Sequence, residues 1–137
     1  MANEAVEVEG PHATVQWTVN SASAIEQYTL MEVETSSTTR LAMASQADSP
    51  APPFAGIAMT EKESTSSSTS LGLTKEGVFE LVAKTVDITE GAAVVISGLN
   101  TIRAAVAAEL LTGAVVGHAL VKITGDAAGE VQLIGNS

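Results

Sequence analysis

Phe54-Ala55-Gly56-Ile57-Ala58-Met59, followed after a Ser/Thr run by Leu71-Gly72-Leu73-Thr74-Lys75-Glu76-Gly77-Val78-Phe79-Glu80-Leu81, decides how the chain is read. A weaker echo follows at Val115-Val116-Gly117-His118-Ala119-Leu120 and Gly129-Glu130-Val131-Gln132-Leu133. Each copy is a short apolar run, a polar turn and an alternating run. Short apolar runs bounded by turn residues read as buried strands, and period-2 alternation reads as half-buried strand. The predicted fold is all-β: a small β-barrel or sandwich of two similar halves, with an N-terminal arm.

Alignment of the chain on itself extends the duplication. Ile25 falls on Ile88, 63 residues on, and the same offset pairs Thr38 with Thr101, Arg40 with Arg103, Ala42 with Ala105 and Ala44 with Ala107. After a two-residue deletion Gly56 meets Gly117 and Ala58 meets Ala119. One-residue adjustments pair Trp17 with Phe79, Val19 with Leu81, Leu71 with Val131 and Leu73 with Leu133. The halves run from about Val15 to Leu73 and from Val78 to Ile134, within a single β-domain spanning 13–137. Thr101 to Leu111 is alanine-rich and favours helix by propensity. Its partner in the first half sits among Ser and Thr, so Arg103 to Ala107 is expected as strand, with at most a helical turn at Ala108–Leu111.

Outside the repeat, residues 1–12 form an acidic alternation ending at Gly10-Pro11, read as an arm or first edge strand. Ala13 to Val19 alternates cleanly, with Val15, Trp17 and Val19 on one face. Trp17, the single tryptophan, is a core or subunit-contact candidate. Ile25 to Val33 reads as a strand through Tyr28 and Leu30. Asp48-Ser49-Pro50-Ala51-Pro52-Pro53 excludes helix and central strand and is expected as an exposed loop. Ser64 to Ser70 reads as a mobile hairpin tip.

The chain has 137 residues with 6 basic and 16 acidic side chains, a net charge of -10. A nucleic-acid binder normally shows a basic face, and here the cations are scattered, so no direct nucleic-acid binding is expected. The acidity suits solubility and resistance to self-association. No run is long and apolar enough to span a membrane as a helix, and the N-terminus lacks the basic and apolar regions of a signal peptide. With no cysteine, disulfides and thiolate metal sites are excluded. Synthesis in a cytoplasm is expected.

Catalytic patterns are missing. His12 follows Gly10-Pro11, and His118 sits in an apolar strand, where a packed histidine is the commoner role. There is no Ser-His-Asp order, paired-histidine motif or phosphate loop. The carboxylates are spread as pairs such as Glu32/Glu34 and Glu61/Glu63, without the spacing of a calcium loop. The chain therefore reads as no enzyme, with no cofactor and no metal.

Phe54-Ala55-Gly56-Ile57-Ala58, the polar stretch, Leu71-Gly72-Leu73 and Gly77-Val78-Phe79 resemble the capsid decoration (cement) proteins of tailed bacteriophages. Ile88-Thr89-Glu90-Gly91-Ala92-Ala93-Val94, Val116-Gly117-His118-Ala119-Leu120 and Gly129-Glu130-Val131-Gln132-Leu133 fill the later places of that pattern. The resemblance covers about Ile25 to Gly135. The loop at Pro50–Pro53 and the long Ser/Thr run depart from it. It implies a β-barrel-like protein on the outer surface of an expanded icosahedral capsid, often a homotrimer, that bridges major capsid proteins. Such a protein needs a stiff body and loops or arms that pack on shell subunits, with many weak contacts adding through avidity. The contact candidates are Glu4, Val6 and Val8 of the arm, then Pro50, Pro52 and Pro53, then Ser66 and Ser67. Two other classes compete. One is a receptor- or glycan-binding module on a virion fibre, using the Ser/Thr tip and Trp17. The other is a trimeric enzyme with His118 and a neighbour's carboxylates between subunits.

Overall fold

The structure, a computed structural model, describes residues 5–9, 14–34, 40–46 and 51–133. Eleven strands follow in order: β1 (Val6–Glu9), β2 (Val15–Thr18), β3 (Leu30–Val33), β4 (Ala42–Ala44), β5 (Phe54–Ala58), β6 (Ser70–Thr74), β7 (Val78–Ala83), β8 (Ala93–Gly98), β9 (Thr101–Ala104), β10 (Val115–Ala119) and β11 (Ala128–Leu133). A 3₁₀ helix, Ala107–Leu111, joins β9 to β10. The strand expected at Arg103–Ala107 is corrected: it is Thr101–Ala104, where pairing with β8 and burial override helix propensity, and the helical turn already begins at Ala107.

The two sheets have the same strand order. The first runs β2-β6-β5-β3-β4 and the second β7-β11-β10-β8-β9, with β1 added at the β7 end. Each curls until its end strands meet in parallel, at Thr18 and Leu41 in the first half and at Val82–Ala83 and Thr101–Ile102 in the second. Even the irregularities repeat. Between β3 and β5 the register slips at Ala55, and between β8 and β10 it slips at Val116. An antiparallel bridge joins Ile25 to Lys62, and its counterpart joins Ile88 to Ile123. The left-handed residue before β3 is Tyr28 (φ 69°), and before β8 it is Gly91 (φ 85°). Their N–H groups donate to Ala58 and Ala119 respectively, at 2.6 and 2.8 Å.

These pairings fix the residue equivalences. In β3/β8 and β5/β10 they are those of the sequence alignment. Elsewhere they differ. Val19 N–H donates to Thr69 as Ala83 N–H donates to Ala127, so Trp17 matches Leu81 rather than Phe79, and Leu73 matches Val131 rather than Leu133. A slip of two residues keeps the same face, so apolar phase alone cannot detect it. Leu41 matches Thr101, which puts Arg40 on Asn100 rather than on Arg103. The turn Gly98-Leu99-Asn100 is much shorter than the connection from β3 to β4, and a constant offset carried across it misplaces β4.

Two large core clusters result, and a small third of Ala51, Val95 and Ala114 lies beside them. Val19, Ile25, Met31, Ala42, Ala55, Ala58, Leu71 and Leu73 fill the first half, with Trp17 and Val33 packed at the margin. Phe79, Leu81, Ile88, Val94, Ile96, Ile102, Val116, Ile123 and Val131 fill the second. Alternate residues of a strand face opposite sides. Leu30, Phe54 and Ile57 accordingly turn away from their own half and join the second cluster. Each fully buried large apolar side chain contributes about 1.5–3 kcal/mol, so this shared cluster binds the halves strongly. A polar tie reinforces it: Leu30 N–H donates to Asn100 Oδ1 (2.6 Å), Asn100 N–H to Ser45 Oγ (2.8 Å), and Ser45 N–H to the Leu30 carbonyl (2.9 Å).

Two close approaches explain the glycines of the repeat. A Cβ on Gly117 would lie 2.1 Å from the Gln132 carbonyl oxygen, and one on Gly56 (φ 138°) would lie 2.9 Å from Leu73 Cβ. Only glycine lets β5 and β10 approach their neighbours this closely.

The N-terminal arm, where described, lies as β1 against the outer edge of β7, with Val6 opposite Glu80 and Glu7 opposite Phe79. Ala5 is buried in the second core cluster. The segment Ala51–Pro53 is not the exposed loop expected. Ala51 is buried, Pro52 and Pro53 are half-buried, and Pro53 accepts from Val33 N–H. The prolines stiffen a junction between the halves, where Phe54 N–H also donates to Gly113. The reading of Ile25–Val33 as continuous strand is likewise corrected. The left-handed turn at Tyr28 interrupts it, and Tyr28 instead packs edge-on against Phe79 at 5.8 Å.

Candidate functional site

Two places gather polar side chains. The first is the connection between β5 and β6, the expected mobile tip. Lys62 anchors it. Its side chain is buried, yet its ammonium meets no carboxylate in the contacts it makes. It donates to the Ser21 and Ser23 carbonyls at 2.8 and 2.7 Å, with longer contacts to Glu63 and Ser66 at 3.4 and 3.5 Å. Four main-chain oxygens converge on one tethered cation, tying the Ser/Thr run to the turn after β2. The run is further held by Ser68 N–H on Ser66 Oγ and Ser70 N–H on Ser68 Oγ. Beside it opens a polar cleft of about 510 Å³ lined by Thr60, Glu61, Glu63, Ser66, Ser68 and Leu71 among others. Trp17 lies directly across from Leu71 in the β2–β6 ladder.

The second place is the junction at the 3₁₀ helix. Arg103 and Glu109 form a bidentate pair, Nη1 to Oε1 at 2.9 Å and Nη2 to Oε2 at 2.6 Å. The Glu109 carboxylate also accepts from Val106 N–H at 3.0 Å and from Ala51 N–H at 2.9 Å. Its side chain is only 3% exposed. The guanidinium of Arg103 holds the carboxyl down at about 2, against the opposing effect of burial, and the two main-chain donors add to this. A charge so well partnered is structural. It fixes the turn of the 3₁₀ helix, whose Val106 and Leu110 remain 57% and 53% exposed.

The expected contact residues are scattered. Val6 is half exposed on β1, with Val8 on the same strand. Ser67 is exposed and Ser66 half-buried on the cleft rim, while Pro52 and Pro53 are at the junction. Glu4, Pro50 and His12 lie outside the described residues. Trp17 packs on the margin of the first core. His118 is exposed on the outer face of β10, where the first half carries buried Ile57. Among the described residues no three His, Cys, Asp or Glu side chains are grouped to hold a metal ion. None of the helices described is long and apolar enough to cross a membrane.

Sequence reasoning missed Lys62, Asn100 and the Arg103–Glu109 pair. Lys62 had a signal: it stands where the second half has Ile123, a cation at a position the repeat makes apolar. The ion pair gave none, since its register depends on the turn of the 3₁₀ helix. No protein-family model matches the chain, and no curated protein is similar to it.

Proposed function

We propose that the protein is a structural virion protein that binds the outer surface of an expanded icosahedral capsid and stabilises it by bridging major capsid proteins. The observation that carries this reading is where the phage-like segments fall. In order, they lie on β5, β6, the start of β7, the turn leading into β8, β10 and β11, all within the duplicated body. The use of charge supports it too. The buried Glu109 with its half-buried partner Arg103, and the buried Lys62, hold loops in place, and the loop held by the pair presents the apolar side chains Val106 and Leu110 to solvent. Such a surface suits contact with another protein better than turnover of a substrate. On this reading the protein is no enzyme, self-associates as a homotrimer, needs no cofactor, binds no nucleic acid or membrane directly, and is made in the host cytoplasm. The Ser66–Ser67 rim and the Val106–Leu110 turn are its contact surfaces for the shell.

Co-sedimentation with undecorated heads of the source virus tests this. Saturable binding to expanded heads, absent from unexpanded ones, is the expected result. No binding to either overturns it. One feature favours a second reading, a glycan-binding module: the polar cleft adjoins Leu71, the cross-strand neighbour of Trp17. Quenching of the single tryptophan by a glycan would support that reading.

A further inference from the structure

The cleft beside the Ser/Thr run is bounded by a segment that the second half lacks. Both halves carry the same bridge, Ile25 to Lys62 in one and Ile88 to Ile123 in the other. From that bridge to the next shared hydrogen bond, at Thr69 and Ala127, the first half takes seven residues and the second four. The extra residues lie in the Ser/Thr run that walls the cleft. Its volume, about 510 Å³, falls within the roughly 300–1,000 Å³ of small-ligand sites. The side chains at the bridge also change character. Glu61, Lys62 and Glu63 stand where the second half has Lys122, Ile123 and Thr124, so the shared fold calls for neither carboxylate.

Burial alternates along this segment: Lys62 is buried, while Glu61 and Glu63 are exposed. Lys62 is the one cation among the residues lining the cleft, and its ammonium is taken up by the Ser21 and Ser23 carbonyls. All six Lys and Arg side chains of the chain lie among the described residues, and none of them pairs with Glu61 or Glu63. In the second half, by contrast, Lys122 lies 3.8 Å from Asp87. The cleft therefore sets two unneutralised carboxylates beside the hydroxyls of Ser66 and Ser68, in a chain of net charge -10.

We propose that this cleft docks a basic segment of a partner protein, with Glu61 and Glu63 taking up its Lys or Arg side chains. A guanidinium or an ammonium brings donors and no acceptor, the complement of two free carboxylates among serine oxygens. The negative field of the whole chain steers such a segment toward the cleft. An anionic ligand meets like charge there. The inference deepens the reading above, since it names the chemistry a shell subunit presents at the Ser66–Ser67 rim, but its test needs no shell, so the two can fail separately.

The probe is an amidated tetra-arginine peptide, titrated into the isotope-labelled full chain and followed by amide resonances. Saturable shifts are expected at Glu61, Glu63, Ser66 and Ser68, with affinity falling as salt is raised. Glu61→Gln/Glu63→Gln should weaken binding roughly tenfold, the combined effect of two rim ion pairs, with the urea midpoint unchanged. Glu90→Gln/Glu130→Gln, in the second half, removes the same net charge and should change the affinity less than about twofold, because distant exposed charges are screened. Equal effects of the two double variants, or shifts spread over the whole surface, mark unspecific attraction to a polyanion and overturn the proposal. Shifts produced by calcium chloride but not by the peptide mark a metal site and overturn it too. Binding to expanded heads without any response to the peptide leaves the shell reading standing and overturns this contact. A cleft that binds the peptide in a protein that binds no heads supports the docking site and overturns the shell reading.

Discussion

Replacing Lys62 by methionine tests whether a buried ammonium on carbonyl oxygens holds the first half together. Lys62 is 5% exposed, and methionine keeps most of its apolar stem while removing the donor. Two short charge-assisted hydrogen bonds are lost, to Ser21 and Ser23. Such bonds contribute about 1.5–3 kcal/mol each. Ser21 and Ser23 are exposed, so water recovers part of the loss, and the expected cost is about 2–3 kcal/mol. For a chain of this size that lowers Tm by roughly 5–10 °C. Urea unfolding followed by Trp17 fluorescence is the assay, since Trp17 packs on the core beside this loop. Lys62→Ile, which installs the residue the second half carries at Ile123, is expected to lose as much, because isoleucine supplies no donor either. The reasoning is refuted if Lys62→Met unfolds within about 0.5 kcal/mol of the parent, the scatter of a surface substitution.

Two further outcomes follow from the geometry. Glu109 is held at about 2 by Arg103, against roughly 4.3 in an unfolded chain. A depressed carboxyl stabilises the fold above the unfolded value and loses that contribution as pH falls through the folded one. Stability should therefore decline between about pH 5 and pH 2, and Glu109→Gln should flatten that decline while costing roughly 2–3 kcal/mol at neutral pH, read from urea midpoints across the pH range. Gly117→Ala forces a Cβ onto the Gln132 carbonyl and should cost more than about 3 kcal/mol or abolish folding. Gly91→Ala, left-handed but in open space, should cost only about 1 kcal/mol, so the midpoints of the two variants should differ widely.

The duplication was legible because its signals are local: the Gly56 and Gly117 approaches, the alternation in β6 and β11, the apolar faces of β3 and β8. Comparing the halves set the strand of the alanine-rich stretch too late, at Arg103–Ala107 instead of Thr101–Ala104, because the shorter turn before β9 shifts the register. What could not be read depends on distance in sequence. The slip in β2 and β6 preserves every apolar face, so only hydrogen bonds reveal it. The burial of Ala51–Pro53 depends on the junction with Glu109 and Gly113, more than fifty residues away in sequence. Proline chemistry excluded helix there but could not say whether the loop faced water. His118 sits in an apolar run and looked inward, yet the face it shares with Ile57 is covered in one half and open in the other.

A duplicated fold carries its own control. Where both halves agree, as at Ala55 and Val116, or Ile25 and Ile88, the residue serves the architecture and would be kept in any barrel of this kind. Where they differ, the fold tolerates either choice, and something else selects between them. The differences gather on three features. Lys62 replaces an isoleucine and ties down the loop beside the cleft. The link from β4 to β5 is proline-rich, whereas that from β9 to β10 is a 3₁₀ helix with exposed Val106 and Leu110. The edge of β7 is paired with β1, while at Thr14–Gln16 no strand pairs with the edge of β2 among the described residues. None of the three is needed to close either ring of strands, since the other half closes without it. All three instead alter what the molecule offers at its surface: a fixed loop, an apolar turn and a strand edge left unpaired at Thr14–Gln16 among the described residues. On the proposed reading, these features are contact surface. On the proposed reading, a substitution at the exposed Val106 should weaken binding to the shell while leaving the unfolding midpoint within about 0.5 kcal/mol of the parent. A glycine of the repeat should do the reverse.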